Sequence, residues 1–363
     1  MRPYLSRMNL KTMFFRAYPT RIVVSVLALT LLTGCAARTS NVATSNPTKT
    51  AVAIPTYNSL SGRPGSDGPV LVVKVDDTTQ AHPQIGLDSA DVVYIEQVEG
   101  GLTRLAAVFS SSIPARIGPV RSARISDIDL ISQYGHVAFA YSGAQTKMLP
   151  VIANANLENL GAQRESEKFY PRDLTRTAPV NLVLRADLLM ARLANDNVAI
   201  ATSKTLGWSF GSKPLGGKIL TSVKLIWPSN SYSATWSTGE QRWLLFHAGS
   251  PDLADDGKQL GPTTLVIQTV SITNSIYHDK VGGITPFSAT IGSGTGFILR
   301  DGESFPATWS RPSSTEGTTW TGLDGQPISF ARGQVWVAMV ATAPEFTYPA
   351  PPTPASPSAT STK

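Results

Sequence analysis

The hydrophobic pattern of this chain changes near residue 195, and that change limits the folds it can adopt. Before it, apolar runs typical of strands, such as VLVVKVD and ADVVYIEQ, alternate with helical patterns such as SDIDLISQYG and RADLLMARLAND. The run LTRLAAVFSSS fits a strand or a helix, and TKMLPVIANANLENLG is mostly helical in pattern. Strands interleaved with helices predict an N-terminal α/β domain over residues 69–195, with some parallel pairing.

After residue 195 the pattern is typical of antiparallel strands. Short runs such as TTLVIQTV and GFILRDGESFPATW are separated by Gly, Asp and Pro, and Asp301-Gly302 has the composition of a tight hairpin turn. A β-rich domain is therefore predicted over residues 196–341. The expected fold class is α+β or α/β, with a mixed N-terminal segment followed by an antiparallel β-rich C-terminal segment.

The N-terminus has the composition of an export signal. Residues 2–21 carry five basic and no acidic side chains, residues 22–32 form an apolar run too short for a comfortable membrane span, and LTGC resembles the lipobox of bacterial lipoproteins. Cys35 ends that motif and is the single cysteine of the chain. We predict a signal peptide over residues 1–34, a lipid on Cys35 and anchoring at the extracytoplasmic face of a membrane. The alternative is an uncleaved anchor helix with an unpaired thiol.

Removal of the leader changes the charge of the protein. The chain has a formal net charge of +6, and five of its basic residues precede residue 35, so the chain from Cys35 onward carries +1. A near-neutral protein has no general attraction for nucleic acid, and a lipidated Cys35 leaves no thiol for a disulfide or a metal. The expected contacts are therefore the membrane, through the lipid, and an envelope protein or a cell-wall glycan.

Both ends of the chain are poor in large apolar residues. Residues 35–68 are rich in Ser, Thr, Asn and Pro, and residues 342–363 are rich in Pro. Such segments bury too little surface to offset their chain entropy. A disordered tether and a disordered tail are predicted over these two ranges.

Four arginines lie close together in the sequence and are candidates for an anion site: Arg104, Arg116, Arg121 and Arg124. Arginine keeps its charge at any accessible pH, so each guanidinium needs an acceptor. If a helix begins near Pro119, Arg121 and Arg124 lie one turn apart at its N-terminus. Free backbone N–H groups and the helix dipole favour an external phosphate or carboxylate there.

The protein's own carboxylates are the alternative acceptors. Glu96, Glu99 and Asp127 are the supporting candidates, and pairs between them and the arginines would join the helix to the sheet. In VEGGLTR, Gly100-Gly101 permits a tight turn, and Glu99 and Arg104 either form an ion pair across it or belong to the site of Arg121. The sequence leaves these interpretations open.

Two further groups of residues bear on chemistry. Asp76 and Asp77 follow a predicted strand and are candidate ligands for a divalent metal, Mg²⁺ or Ca²⁺. Adjacent strand residues point to opposite faces, so at most one of them joins a given site. The tryptophans after residue 200 form either a sugar-stacking platform or part of the core. No nucleophile elbow, Walker sequence or His-Glu-x-x-His motif occurs, so no catalytic residue is assigned.

Several ordered segments resemble the YerB-like family of bacterial lipoproteins: HPQIGLDSADVVYIE, VEGGLTRLAAVF, IGPVRSAR, GSGTGFILRDGESFPATWSR and GQPISFARGQVWV. The resemblance spans roughly residues 69 to 340. It implies a lipoprotein of the cell envelope with a two-part domain of unknown function, whose N-terminal part is α/β and whose C-terminal part is β-rich. It implies no established activity.

SSIPARIGPVRSAR followed by VAFAYSGAQ also resembles the LytR-CpsA-Psr phosphotransferases, which attach glycopolymers to peptidoglycan. That resemblance implies that Arg116, Arg121 and Arg124 hold a polyprenyl pyrophosphate and that Asp76 or Asp77 holds Mg²⁺. The sequence is therefore compatible with two functions. One is a binding or accessory module of the cell surface with an arginine-lined anion site, and the other is a Mg²⁺-dependent envelope phosphotransferase.

Overall fold

A computed structural model of the protein describes residues 56–350. The predicted signal peptide, the lipidation site at Cys35, most of the predicted tether and the end of the predicted tail lie outside the described residues.

The described residues form twenty strands and three α-helices. The strands before residue 200 are β1 (Leu71–Asp76), β2 (Val92–Gln97), β3 (Thr103–Phe109), β4 (Arg116–Ile117), β5 (Val137–Tyr141), β6 (Leu157–Gly161) and β7 (Leu184–Arg185). The helices are α1 (Ile125–Ser132), α2 (Leu149–Asn154) and α3 (Ala186–Asn195). The later strands are β8 (Lys218–Ile219), β9 (Ser222–Trp227), β10 (Asn230–Ser237), β11 (Arg242–His247), β12 (Ser250–Pro251), β13 (Thr264–Thr269), β14 (Ile272–His278), β15 (Ile284–Ser288), β16 (Gly292–Arg300), β17 (Glu303–Arg311), β18 (Thr319–Gly322), β19 (Val335–Val340) and β20 (Glu345–Thr347).

One eleven-stranded sheet contains strands from both halves of the chain, in the order β18-β17-β16-β13-β19-β2-β3-β1-β5-β6, with β8 paired to β17. β13, β19 and β2 are parallel neighbours, as are β1, β5 and β6, and the other neighbours are antiparallel. The predicted fold class is confirmed, because a mixed N-terminal segment precedes antiparallel C-terminal strands. The predicted boundary after residue 195 does not separate two sheets, since β19 pairs directly with β2.

The two faces of this sheet have different coverings. Alternate residues of β1 to β3, such as Val73, Val75 and Ile95, pack with α3 and a second, five-stranded antiparallel sheet of order β12-β11-β10-β9-β20. The other alternate residues, such as Val72 and Tyr94, pack with α1 and α2. We call these the sheet-covered face and the helix-covered face. The period-two alternation of apolar residues therefore fills two separate cores.

The tryptophans belong to these cores. Trp243 and Trp336 are fully buried, and Trp227, Trp309 and Trp320 are nearly so. The sugar-stacking interpretation of these side chains is therefore wrong, because a ring enclosed by protein has no free face for a sugar.

The predicted tether ends earlier than residue 68. Within residues 56–68, Leu60 is fully buried, the Ser61 hydroxyl lies 2.5 Å from a carboxylate oxygen of Asp91, and Asp67 accepts the backbone N–H of Ser59 at 2.7 Å. At the other end, β20 lies within the predicted tail and pairs with β9. Polar hydrogen bonds and strand pairing hold much of both segments, so their low apolar content did not predict that they are part of the fold.

The local predictions differ in outcome. LTRLAAVFSSS forms strand β3, and the Asp301-Gly302 hairpin turn between β16 and β17 is confirmed, with φ of 50° and 74°. The helical interpretation of TKMLPVIANANLENLG holds only for α2, because its second half forms β6 beside β5.

Candidate functional site

Charged side chains replace apolar ones on the helix-covered face where β1 and β2 end and the antiparallel β3 begins. Arg104 lies opposite Asp76 in one neighbouring strand and opposite Glu96 in the other. Lys74, two residues before Asp76, points to the same face. The strand register therefore assembles two cations and two carboxylates beneath the start of α1.

The segment before α1 is extended and not helical. β5 pairs with β1 only along residues 71–73, which leaves the edge of residues 74–76 open. Residues 119–121 pair there: the Asp76 N–H donates to the Pro119 carbonyl at 2.9 Å, and the Arg121 N–H donates to the Lys74 carbonyl at 2.8 Å. Helix α1 begins only at Ile125. The predicted helix start near Pro119 is therefore wrong, because this segment completes the open sheet edge.

The N-terminus of α1 is occupied by the protein's own carboxylate. The Arg124 N–H donates to Asp127 Oδ2 at 2.6 Å, and the Asp127 N–H donates to the Arg124 carbonyl at 3.0 Å. The other Asp127 oxygen lies 2.8 Å from Lys74 Nζ, and Lys74 also contacts Glu96. All three side chains are fully buried. An internal carboxylate thus takes the position where one of the two sequence interpretations placed an external anion.

Two of the candidate arginines form internal ion pairs. Arg121 Nε lies 2.5 Å from Asp76 Oδ2, and Arg124 donates from Nε and Nη2 to Glu99 Oε2 at 2.9 and 2.6 Å. Glu99 also accepts a hydrogen bond from Thr285. The contacts of Arg121 and Arg124 therefore match the internal-pairing interpretation.

Arg116 lies apart from the other three arginines. Its side chain is half-exposed and lies 3.5 Å from Asp173. It belongs to β4, which pairs with β7 away from the ends of β1 to β3.

Arg104 differs from its neighbours. Its residue is 9% exposed, and the hydrogen bond found for its guanidinium within residues 56–350 is from Nη1 to the Ser122 carbonyl at 3.0 Å. No carboxylate of that range forms an ion pair with it. Burial, followed by the like charges of Arg124 and Arg121, lowers the pKa of Arg104 to about 9. A buried cation with incomplete compensation is an electrostatic cost that an acceptor would relieve.

Three of the four candidate arginines line a cleft of about 440 Å³, which we call the arginine cleft. One wall carries Arg104, Arg121 and Arg124, and the β14–β15 hairpin forms the opposite wall. The charged residues at that opposite wall are Asp279 and Lys280. Sequence reasoning missed this hairpin, because it lies about 150 residues from the arginines and carries no motif.

The Gly100-Gly101 turn positions Glu99. Both glycines have positive φ, 66° and 74°, and a Cβ on Gly101 would lie 2.5 Å from Cβ of Pro228. The predicted tight turn is confirmed, and it also allows a close approach by Pro228, in the turn between β9 and β10. It directs Glu99 toward Arg124, so the predicted pair between Glu99 and Arg104 is not the one that forms.

Asp77 lies on the opposite, sheet-covered face. Its carboxylate accepts hydrogen bonds from the Tyr232 hydroxyl at 2.5 Å, from Asn230 at 3.3 Å and from Thr103. The predicted opposite orientation of Asp76 and Asp77 is confirmed. As the alternation predicted, the two carboxylates do not share a site: Asp76 belongs to the pair with Arg121 on the other face.

Two histidines lie beside Asp77. His82 Nδ1 lies 2.8 Å from Asp252 Oδ1, and its ring stacks on that of His247 with a centroid distance of 4.0 Å. Burial lowers the pKa of His82, but hydrogen bonds to Asp252 and Asp77 outweigh it and raise the pKa to about 9. Sequence analysis named Asp77 as a candidate metal ligand, but no local pattern predicted that His82 would meet Asp252, which is 170 residues away.

The Glu99–Arg124 pair predicts a pH dependence of stability. Burial raises the pKa of Glu99, but the hydrogen bonds from Arg124 and Thr285 outweigh it and hold the pKa below 4.5. Its contribution is therefore complete above pH 4.5 and is lost as the pH falls through the folded-state pKa. Urea unfolding from pH 7 to pH 3 should show Glu99→Gln less stable than wild type by about 3 kcal/mol at pH 7 and the gap closing in acid. A gap that stays constant to pH 3 contradicts the assignment.

The comparisons with known proteins identify the family. The N-terminal domain of a protein family of unknown function, DUF3048, matches residues 56–199, and the C-terminal domain of the same family matches residues 223–337. YerB of Bacillus subtilis (strain 168), a protein named as a candidate lipoprotein, is 50% identical over 277 residues, which are 75% of this chain and 81% of YerB. The chain therefore belongs to the YerB-like DUF3048 family, as its sequence segments predicted.

The fold of this family is also known from a crystal structure. The structure of Bacillus subtilis YerB superposes with a TM-score of 0.70, and the superposition covers 80% of this chain and 99% of that chain. In this structure-based alignment 18% of the paired residues are identical, whereas the sequence alignment above, which pairs 277 residues, gives 50%. At 18% identity the structural likeness concerns the fold alone. Among residues 56–350 of the present chain, none of the helices has both the length and the apolar character needed to cross a bilayer.

Proposed function

We propose that this protein is a lipid-anchored binding or accessory module of the cell surface, and that its arginine cleft binds an anionic group of an envelope ligand. Two observations support the location: the lipobox-like LTGC ending at Cys35, and the membership of a family whose relative YerB is named as a candidate lipoprotein. The lipid on Cys35 holds the folded region near the extracytoplasmic membrane face.

The observation that carries the anion site is the environment of Arg104. Its guanidinium lines the cleft, donates to one backbone carbonyl and has two like-charged neighbours, Arg121 and Arg124. A phosphate or carboxylate in the cleft accepts charge-assisted hydrogen bonds from the unused N–H groups of Arg104. The cleft volume of about 440 Å³ suits a small ligand or the head of a larger one.

The contacts favour a binding module over the phosphotransferase alternative. That alternative requires Arg116 in the anion site and Asp76 or Asp77 as a Mg²⁺ ligand. Arg116 lies outside the cleft, Asp76 is paired with Arg121, and Asp77 lies on the other face of the sheet. That chemistry needs a carboxylate beside the arginines to bind Mg²⁺, and Asp76, the one on their face of the sheet in this alternative, is already paired with Arg121.

Calorimetric titration of the detergent-purified full chain tests the anion site, with inorganic phosphate and acetate in separate arms. We expect one saturable site for one or both anions. Arg104→Gln removes a charge-assisted contact worth about 1.5–3 kcal/mol and should raise Kd by roughly 10- to 150-fold. Its thermal midpoint should be unchanged or higher, since no ion pair is broken.

The matched control is Arg116→Gln, which changes the same kind of side chain outside the cleft. It should bind both anions as wild type does. Absence of saturable binding in the wild type, or equal affinity in Arg104→Gln, would refute the arginine cleft as an anion site.

A further inference from the structure

A second cluster lies on the sheet-covered face, behind the charged row of the arginine cleft. Asp77 follows β1, His247 ends β11, and His82 lies between the first two long strands. One potential ligand atom from each of these three residues lies within 4.8 Å of the other two. Three side chains from different parts of the fold thus bring two imidazole nitrogens and a carboxylate oxygen together.

The distances suit a small metal ion. Ligands bound tetrahedrally at 2.0–2.1 Å lie about 3.3 Å from one another. His82 Nε2 lies 3.4 Å from Asp77 Oδ1, which is close to such an edge. A His247 ring nitrogen lies within 4.8 Å of a ligand atom of each of these two residues and is the third donor to the same centre.

His247 supplies an independent observation. The residue is 5% exposed, and its Nε2 is buried without a hydrogen-bond partner. A buried, unpartnered imidazole nitrogen is costly, and coordination to a cation removes that cost.

Asp252 provides the support that metal-binding histidines usually have. Its carboxylate oxygen lies 2.8 Å from His82 Nδ1, on the side of the ring away from Asp77. A hydrogen bond of this kind fixes the ring orientation and directs Nε2 toward Asp77 Oδ1, at 3.4 Å, and the Gln84 amide, at 3.1 Å. A metal ion would replace these contacts of Nε2. The carboxylate is nearly fully buried, so it is a fixed partner of His82 and not a solvent-exposed ion pair.

We propose that Asp77, His82 and His247 bind a transition-metal ion of the Zn²⁺ type, with Asp252 orienting His82. Two imidazoles and one carboxylate favour Zn²⁺ or Co²⁺ over Mg²⁺ and Ca²⁺, which prefer oxygen ligands. The fourth position faces a cleft of about 260 Å³ that Asp77 and His247 line. This opening is the entry path for the ion, and it holds a water or a ligand donor when the ion is bound.

The position of the site gives it a structural consequence. Asp77 and His82 belong to the segment that the N-terminal family domain matches, and His247 belongs to the segment of the C-terminal domain. Bound metal therefore joins the two halves of the fold. The proposal is independent of the arginine cleft, which lies on the other face of the sheet.

The test uses the detergent-purified full chain, stripped with a chelator and titrated with Zn²⁺ or Co²⁺ alone. We expect one equivalent to bind, a higher thermal midpoint, and a visible Co²⁺ spectrum of a four-coordinate site. His247→Gln breaks no hydrogen bond of Nε2 and should weaken Zn²⁺ binding by on the order of 100-fold. Asp252→Asn should weaken it by roughly 10- to 100-fold.

His136→Gln is the matched control, because the His136 side chain is 38% exposed and its polar neighbours, Asn156 and Glu158, are not members of this cluster. This variant should bind one equivalent of Zn²⁺, as wild type does. In wild type, excess Mg²⁺ should not displace the bound Zn²⁺. Failure of the wild type to bind one equivalent overturns the proposal. Unchanged affinity in His247→Gln also overturns it and would mean that the histidines only stack and hydrogen-bond. Because the readout is metal binding, it is separate from anion binding in the arginine cleft.

Discussion

Lys74→Met is expected to remove most of the stability of this protein. Lys74 Nζ contacts Glu96 and Asp127, and all three side chains are fully buried. Without the ammonium group, two carboxylates remain enclosed in one small volume with no cation in contact. Breaking a buried ion pair in this way costs about 3–5 kcal/mol, which is a large part of the roughly 5–15 kcal/mol that holds a domain folded. Urea unfolding should show the loss as a lower midpoint.

Two further variants distinguish charge from packing. Lys74→Met combined with Glu96→Gln and Asp127→Asn removes the unpaired charges, and an Asn side chain can still accept the Arg124 N–H at the start of α1. At least half of the lost stability should therefore return. Lys224→Met changes an exposed lysine on β9 and should alter the midpoint little. If Lys74→Met has the same urea midpoint as wild type, the buried carboxylates do not depend on Lys74.

The second large effect is expected for Arg121→Ala combined with Arg124→Ala. The substitutions leave the buried carboxylates of Asp76 and Glu99 without their cations. We expect a loss of about 3 kcal/mol or more in the free energy of unfolding. Anion binding in this variant is uninformative if the fold is lost, which is why Arg104→Gln is the better test of the arginine cleft.

The control for the double substitution is Arg116→Ala with Arg185→Ala. Both arginines are substantially exposed, and both have a carboxylate neighbour at the surface, Asp173 and Asp187. Exposed pairs contribute at most about 1 kcal/mol, so the control should remain close to wild type in thermal and urea unfolding. Restoration of stability when Asp76→Asn and Glu99→Gln are added to Arg121→Ala and Arg124→Ala would identify the unpaired carboxylates as the cause. An unchanged midpoint in the double variant would contradict the pairing.

Local patterns predicted those features that depend on neighbouring residues. The alternation of β1 places Asp76 and Asp77 on opposite faces, and the Asp301-Gly302 pair forms its hairpin turn. The start of α1 was mispredicted, because Pro119 is equally compatible with a first helical turn and with an extended edge segment. The open edge of β1 beyond β5 decides between them, and no property of residues 117–124 indicates it.

The sequence by itself determined the family, the mixed fold class and the group of residues that carry charge near the strand ends. The tertiary structure decided which charge meets which. Arg124 pairs with Glu99, 25 residues away, and His82 with Asp252, 170 residues away. Ion pairs and metal sites depend on distances of a few ångströms between side chains, and those distances are set only when the strands and loops that carry the side chains pack together. That is why the sequence could name the four candidate arginines but could not show that, within residues 56–350, Arg104 is the one of them without an ion pair.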